Sequence, residues 1–290
     1  MARRRFHHNT IAVIYDFDGT LTPQPMQEYT VLPELDIEAK EFWSRVDREA
    51  KEQNADGIAT YMRLMIEQAD VKKFKITRKD LGSLSKNIKY FPGVEDFFEK
   101  TRQYTEEKSE NKVKIRHYVI SSGLKEIIEK TPVARHFHNI FAAEYYYDIY
   151  NKATFPNVIV NDTLKTQFLF RINKGKERLS ESINTHTPFE DRAIPFENII
   201  YIGDGLTDVP CMTVTNKEGG FAIAVYKAHS PKGLKTCKEL FEADRIDYLA
   251  QADYTEGSDL YKIVISIIDQ MIANIALLKE SYSQYKKYGD

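Results

Sequence analysis

The chain has only two cysteines in 290 residues, Cys211 and Cys237, and no Cys-x-x-Cys pair. That excludes a disulfide framework and leaves no zinc-type spacing, so a reducing cytoplasm is the expected setting. Charge of one sign is lacking too. Lys plus Arg number 41 against 43 Asp plus Glu, for a formal net charge of −2. Neither a nucleic-acid nor a membrane-surface partner is expected from such a balance. The basic start, Arg3 to Arg5, is too short to change this, and the apolar run behind it is broken by Asp16, which makes a poor signal peptide. No run reads as long and uncharged enough to span a bilayer. Internal repeats, low-complexity tracts and sustained heptads are missing as well. Asn161-Asp162-Thr163 matches a glycosylation sequon, which without a secretory signal reads as chance. What remains is an ordinary globular composition, 42% hydrophobic and 29% charged, on a chain long enough for one large α/β domain or a core with an inserted module.

The most informative stretch runs from Ile11 to Thr22. Ile11, Val13 and Ile14 form an apolar, β-branched run suited to a central parallel strand covered on both faces. Asp16 and Asp18 follow at once. Residues two apart on extended backbone point the same way, so both carboxylates can face the crevice at the strand's carboxyl end, where open α/β sheets place ligands. Two like charges held close imply a bound metal or a shared proton. The competing reading is a plain Asp-x-Asp-Gly turn.

Downstream, Pro23, Pro25 and Pro33 punctuate a loop, and helical spacing takes over at Trp43, Val46 and Ala50 and again at Ile58, Met62, Met65, Ile66 and Ala69. No strand is legible from about Gln24 to Asn87, which predicts a helical module inserted behind the first strand and placed to act as a lid. Tyr61, Arg45, Arg48 and Arg63 are its candidate substrate contacts, although arginines on helices usually face solvent. A strand at about Arg116 to Ile120 runs into Ser121-Ser122-Gly123, which suits either an anion site or a helix N-cap. Ile140 to Ala143 reads as core strand, and Tyr145 to Val160 as an aromatic, β-rich hairpin with no assignable role. Lys165 and Lys174 come next, the latter read as the start of a helix running toward Ile183. Ala252 to Tyr254 reads as an edge strand, and Leu260 to Leu278 carry a long helical stripe.

A second strand, Asn198 to Ile202, also closes on glycines and aspartates, at Gly203-Asp204-Gly205-Leu206-Thr207-Asp208. Local turn chemistry cannot link Asp16 to Asp204 across so much chain. Parallel strands that both present Asp at their carboxyl ends converge on one hard cation, and Mg2+ suits carboxylates, a carbonyl and water.

With these stretches in hand, the chain resembles the haloacid dehalogenase-like (HAD) hydrolase superfamily, in its phosphatase branch with a helical cap, closest to phosphoserine-phosphatase-like members. Asp16-Phe17-Asp18-Gly19-Thr20 is similar to that family's first motif, Ser121 to its second, Lys174 to its third, and Gly203 to Asp208 to its fourth. Lys174 is preferred over Lys165 and Lys176 on the Asn173-Lys174-Gly175 context. The implied fold is α/β, a Rossmann-like doubly wound parallel sheet over 1–23 and 89–290, with a helical cap over 24–88.

The resemblance further implies that Asp16 is the nucleophile and Asp18 the general acid and base. Mg2+ would be held by Asp16, the Asp18 carbonyl, Asp204 and Asp208. Ser121 and Lys174, with Ser122 and Gly123, would bind the phosphoryl group. Asp18 separates phosphatases from the metal-free dehalogenases. The expected activity is hydrolysis of a small soluble phosphate ester through an aspartyl-phosphate, with a phosphotransferase, a phosphomutase or a catalytically idle metabolite-binding regulator as alternatives. Phosphoserine itself is a poor fit, because Pro25 stands near the place of the acidic residue expected at the cap entrance, with Glu28 a few residues on.

Overall fold

A computed structural model of the protein describes residues 6–288. The basic start at Arg3 to Arg5 lies outside the described residues. Strand β1 (Thr10–Tyr15) is fully buried, and its side chains alternate between two cores. Ile11, Val13 and Tyr15 face one core, while Ala12 and Ile14 face the other, as a strand covered on both sides requires.

Five helices follow without an intervening strand: α1 (Met26–Tyr29), α2 (Val31–Glu34), α3 (Ala39–Gln53), α4 (Gly57–Val71) and α5 (Arg78–Leu84). Asp56 starts α4 by accepting a hydrogen bond from Ala59 N–H at 2.9 Å. Two arginines of this insert are engaged within it: Arg45 pairs with Glu49, and Arg63 with Glu49 and Glu67.

The chain then continues through α6 (Val94–Lys108), β2 (Lys114–Leu124), α7 (Lys125–Ile128), β3 (Phe137–Tyr147) and β4 (Ala153–Val158). Next come α8 (Asp162–Lys174), β5 (Ile199–Gly203), α9 (Val209–Lys217), β6 (Phe221–Tyr226), α10 (Pro231–Glu242), β7 (Tyr248–Gln251) and α11 (Asp259–Tyr288).

The seven strands order as β4-β3-β2-β1-β5-β6-β7. All neighbouring pairs are parallel except β3 and β4, so the sheet is mixed only at that edge. Strand β1 sits centrally between β2 and β5, where the direction of strand addition reverses. That switch point is where a crevice opens beyond the carboxyl ends of the strands.

Three local expectations are corrected. Asn173-Lys174-Gly175 ends a helix: Asn161 opens α8 by accepting from Leu164 N–H at 2.9 Å, and Gly175 closes it with φ +67°. Only glycine adopts that left-handed conformation at no steric cost, which makes it a stop signal. The last strand lies at Tyr248–Gln251, ahead of Ala252 to Tyr254, and Tyr254 turns inward to donate its hydroxyl to Thr20 O at 2.9 Å. Finally, α11 holds an 18-residue window long and apolar enough, by length and composition alone, to cross a membrane. A third of that window is buried, because Leu260, Val264, Ile267, Ile268, Met271 and Ile275 share the core beneath the sheet.

Candidate active site

The site is built where β1, β2 and β5 end side by side. Asp16 follows Tyr15, whose partners are Val119 on β2 and Ile202 on β5. The Asp16 N–H extends that ladder by donating to Ile202 O at 3.0 Å. Gly19 then turns the chain with φ +82°, and a Cβ there would come within 2.2 Å of Asp204 Oδ2. Only a residue without a side chain lets the backbone lie this close to the second acidic motif.

Asp16, Asp204 and Asp208 each present a carboxylate oxygen, and the three oxygens lie within 4.8 Å of one another. Asp208 is fully buried: its Oδ1 accepts from Tyr201 Oη–H at 2.8 Å, while its Oδ2 has no partner. The cation in this cluster is Lys165, itself buried, with Nζ at 2.7 Å from Asp208 Oδ1 and 3.1 Å from Asp16 Oδ1. Burial opposes its charge, but Asp16 and Asp208 outweigh that penalty and raise its pKa.

Burial also pushes the Asp16 carboxyl up, to about 6, with Asp208 adding repulsion and Lys165 opposing both. Asp18 is held well above the usual carboxylate range by burial and then by the Asp16 charge, although the Met26 N–H donates to its Oδ1 at 2.8 Å. Asp204 is raised well above that range by burial, Asp16 and Asp208. Four carboxyls thus share one ammonium. A hard divalent cation fits this donor set, because it would relieve the repulsion and supply a partner for Asp208 Oδ2.

Ser121 and its neighbours reach the same edge. The pairing of β2 with β3 shifts register between Ser121 and Leu124, so Ser122 and Gly123 form an irregular step at the strand's end. Ser121 Oγ accepts from Gly123 N–H at 3.0 Å, and no serine side chain caps α7, whose N-cap is Leu124. A Cβ on Gly123 would lie 2.8 Å from Asp18 Oδ2, so this backbone borders the Asp18 carboxyl directly.

Lys174 is not brought to the cluster. It sits in the last turn of α8, where Nζ donates to Ile183 O at 2.6 Å and Thr185 O at 3.3 Å. Lys176 likewise donates to Ser182 O, at 3.0 Å. Lys165 lies nine residues earlier in the first turn, about 14 Å closer to the amino end at 1.5 Å per residue. The signal that identifies it is Asn161: the same residue that completes a sequon pattern caps α8, which aims the helix's first turn at the sheet's carboxyl edge. Tyr201 was not legible as a site residue, because within its strand it reads as ordinary core. Tyr61, one of the candidate lid residues, does reach the site region and donates to Ser122 O at 2.7 Å.

Comparison with known proteins bears on the family and the fold. The family model described as haloacid dehalogenase-like hydrolase matches residues 13–213, more than half of the chain. An uncharacterised protein of Borreliella burgdorferi is 29% identical over 284 residues, spanning 90% of this chain and 97% of that one. Among solved structures, a substrate-bound phosphoserine phosphatase superposes with a TM-score of 0.55 at 17% identity, covering 88% of this chain and 97% of that chain. A phospho-aspartyl intermediate analogue of phosphoserine phosphatase gives 0.53 at 17% identity, covering 88% and 98%. A probable phosphoserine phosphatase of Vibrio cholerae gives 0.54 at 13% identity, covering 97% of this chain and 69% of that one. At these identities the likeness is one of fold.

Proposed function

The chain belongs to the haloacid dehalogenase-like hydrolases, and from that premise we propose that it hydrolyses small phosphate monoesters through an aspartyl-phosphate on Asp16. The observation that carries this reading is the buried contact of Lys165 with both Asp16 and Asp208, beside Asp204, at the carboxyl edge of the central strands. Asp16 is the nucleophile: its carboxylate oxygen bonds to phosphorus as the bond to the leaving oxygen breaks. Asp18, whose protonated form is favoured by burial and by the Asp16 charge, gives its proton to the departing alkoxide. It then takes a proton from the water that attacks the aspartyl-phosphate, which frees inorganic phosphate and restores Asp16.

Lys165 keeps Asp16 oriented and offers positive charge to the phosphoryl oxygens, in the role the sequence assigned to Lys174, and Ser121 Oγ–H with the Ser122-Gly123 step offers donors. Asp16, the Asp18 carbonyl, Asp204 and Asp208 would hold Mg2+, which supplies charge neutralisation between an anionic nucleophile and an anionic phosphate. The helical insert over 24–88 is read as the cap that excludes competing water. Both cysteines are free and buried, which suits a reducing cytoplasm.

The test is release of inorganic phosphate from a panel of esters with Mg2+ or with chelator, run beside Asp16→Asn. Release that needs the metal and falls to background in the variant is expected. Thermal melting supplies an independent readout of the metal: Mg2+ at a hundredfold above its Kd would stabilise the parent by about 2.7 kcal/mol, and Asp204→Asn would reduce that gain. No release from any ester by a folded, Mg2+-stabilised parent would refute the reading.

A further inference from the structure

Next to the carboxylate cluster lie Gln27 and Tyr61, which none of the steps above uses. Met26 opens α1 by donating its N–H to Asp18 Oδ1, and Gln27 follows it, 2% exposed and with Oε1 unpartnered. Tyr61 comes down from α4, equally buried, and donates its hydroxyl to Ser122 O at 2.7 Å. The Gln27 side chain interacts with the Tyr61 phenol, and Asp18 lies within electrostatic reach of the same ring. Ser122 Oγ is buried and unpartnered as well. Two polar atoms without partners therefore flank one tyrosine beside the proposed acid, and a buried polar atom left unpaired is costly unless something else completes it.

The surroundings of these two atoms are closely packed. The Met26 side chain packs against Gly123, where a Cβ would fall 2.1 Å from Met26 Cε. Leu124 N–H points at Met26 Sδ at 3.1 Å. Two nearby carboxyls are each held by other groups through one oxygen. Glu28 Oε1 accepts from Trp43 Nε1–H, and Glu126 Oε1 accepts from Tyr145 N–H and Tyr147 Oη–H. The two unpartnered atoms of Gln27 and Ser122 are neutral: one accepts, and the other can accept or donate.

We propose that Gln27 and the Ser122 hydroxyl, on either side of Tyr61, are specificity-determining residues that recognise a hydroxyl on an uncharged leaving group, which selects polyol monophosphates. A single substrate hydroxyl donates to Gln27 Oε1 and accepts from Ser122 Oγ–H, so both atoms are completed at once. Neither Gln27 nor Ser122 supplies a negative charge of its own to pair with an ammonium. The inference rests on the phosphomonoesterase reading, since it names the ester that this site would take.

Three esters test it with Mg2+ present: glycerol 1-phosphate, ethyl phosphate, which lacks the hydroxyl, and phosphoethanolamine, which carries an ammonium. The parent is expected to show a kcat/KM for glycerol phosphate at least tenfold above that for ethyl phosphate. Gln27→Leu should cut this ratio by about tenfold, and Gln27→Glu should move preference toward phosphoethanolamine. Ser122→Ala removes a single oxygen and should lower the same ratio even where Gln27→Leu fails to fold. Equal parent rates on glycerol and ethyl phosphates, a ratio unmoved in the folded variants, or a parent preference for phosphoethanolamine would each overturn the assignment. Those results leave phosphatase activity standing, whereas a parent inert toward all three esters and the wider panel would sink the phosphatase reading itself and this inference with it.

Discussion

At the scale of single residues, Lys165 ties the carboxylate cluster together. An ammonium with no exposed surface is tolerated only because Asp16 and Asp208 both reach it, and it in turn keeps two carboxylates from facing each other unpaired. Lys165→Met is expected to lower kcat by about 10²–10³-fold, the range for loss of one preorganised donor in a water-poor site. Breaking a buried pair also costs about 3–5 kcal/mol, visible in denaturant unfolding without metal. Lys174→Met, which removes contacts only to the Ile183 and Thr185 carbonyls, should keep activity within about twofold. If the two variants lost activity equally, the placement of Lys165 would be wrong. The aspartates were legible because each directly follows an apolar strand run, a pattern that marks a sheet's carboxyl edge. The lysine was not, because its position depends on helix direction. Choosing between Lys165 and Lys174 required reading Asn161 as the cap and Gly175 as the stop, and the resemblance drew attention to the wrong end of α8.

At the scale of elements, the hairpin of β3 and β4 acquires a structural role that its sequence did not reveal. It grips the helical insert. Tyr145 Oη–H donates to Met62 O at 3.0 Å, Ala153 N–H donates to Ile76 O at 2.9 Å, and Arg78 pairs with Glu144 while lying over the Tyr147 ring. A second tie joins two helix starts, with Asn161 Nδ2–H donating to Asp56 Oδ2 at 2.8 Å. Glu126 lies beneath this junction, 2% exposed, holding Tyr145 N–H and Tyr147 Oη–H through one oxygen with the other unpartnered. Burial raises its pKa above the ordinary 4.5, against the pull of those hydrogen bonds. A folded chain that holds this proton more tightly than the unfolded chain is favoured by it in acid. That contribution is full below the unfolded pKa and is lost as pH rises through the folded pKa. Glu126→Gln should therefore gain in Tm relative to the parent as pH climbs from about 4, and the gain should level off once the parent's carboxyl has ionised. A Tm difference independent of pH over that range would show that the carboxyl titrates normally. The tyrosine-rich run was legible as β structure, but what it holds depends on contacts with chain 66 or more residues earlier, which no local pattern encodes.

At the scale of the whole molecule, the two-sided burial of β1 and its place between β2 and β5 follow from sequence, since an apolar run ending in Asp demands a covered, central strand. The antiparallel pairing of β3 with β4 is the hairpin expected over Tyr145 to Val160, and one edge strand can reverse in this way without disturbing either core. The long helix α11 raises the same question of context over composition. Its apolar stripe is continuous enough to suit a bilayer, yet one face of its first half belongs to the core shared by β1, β2, β5 and α6. Beyond Ile275 the helix is mostly exposed, with Leu277 at 69%. A helix packed in this way responds to substitution by face. Met271→Ala, at a fully buried position, should destabilise the protein by about 2–5 kcal/mol through lost burial and the cavity left behind. Leu277→Ala should stay within about 0.5 kcal/mol. Urea unfolding of the two variants in detergent-free buffer measures both. Equal, small effects would mean that Met271 is not part of the folded core, and the helix would then have to be reassigned to a surface or bilayer setting.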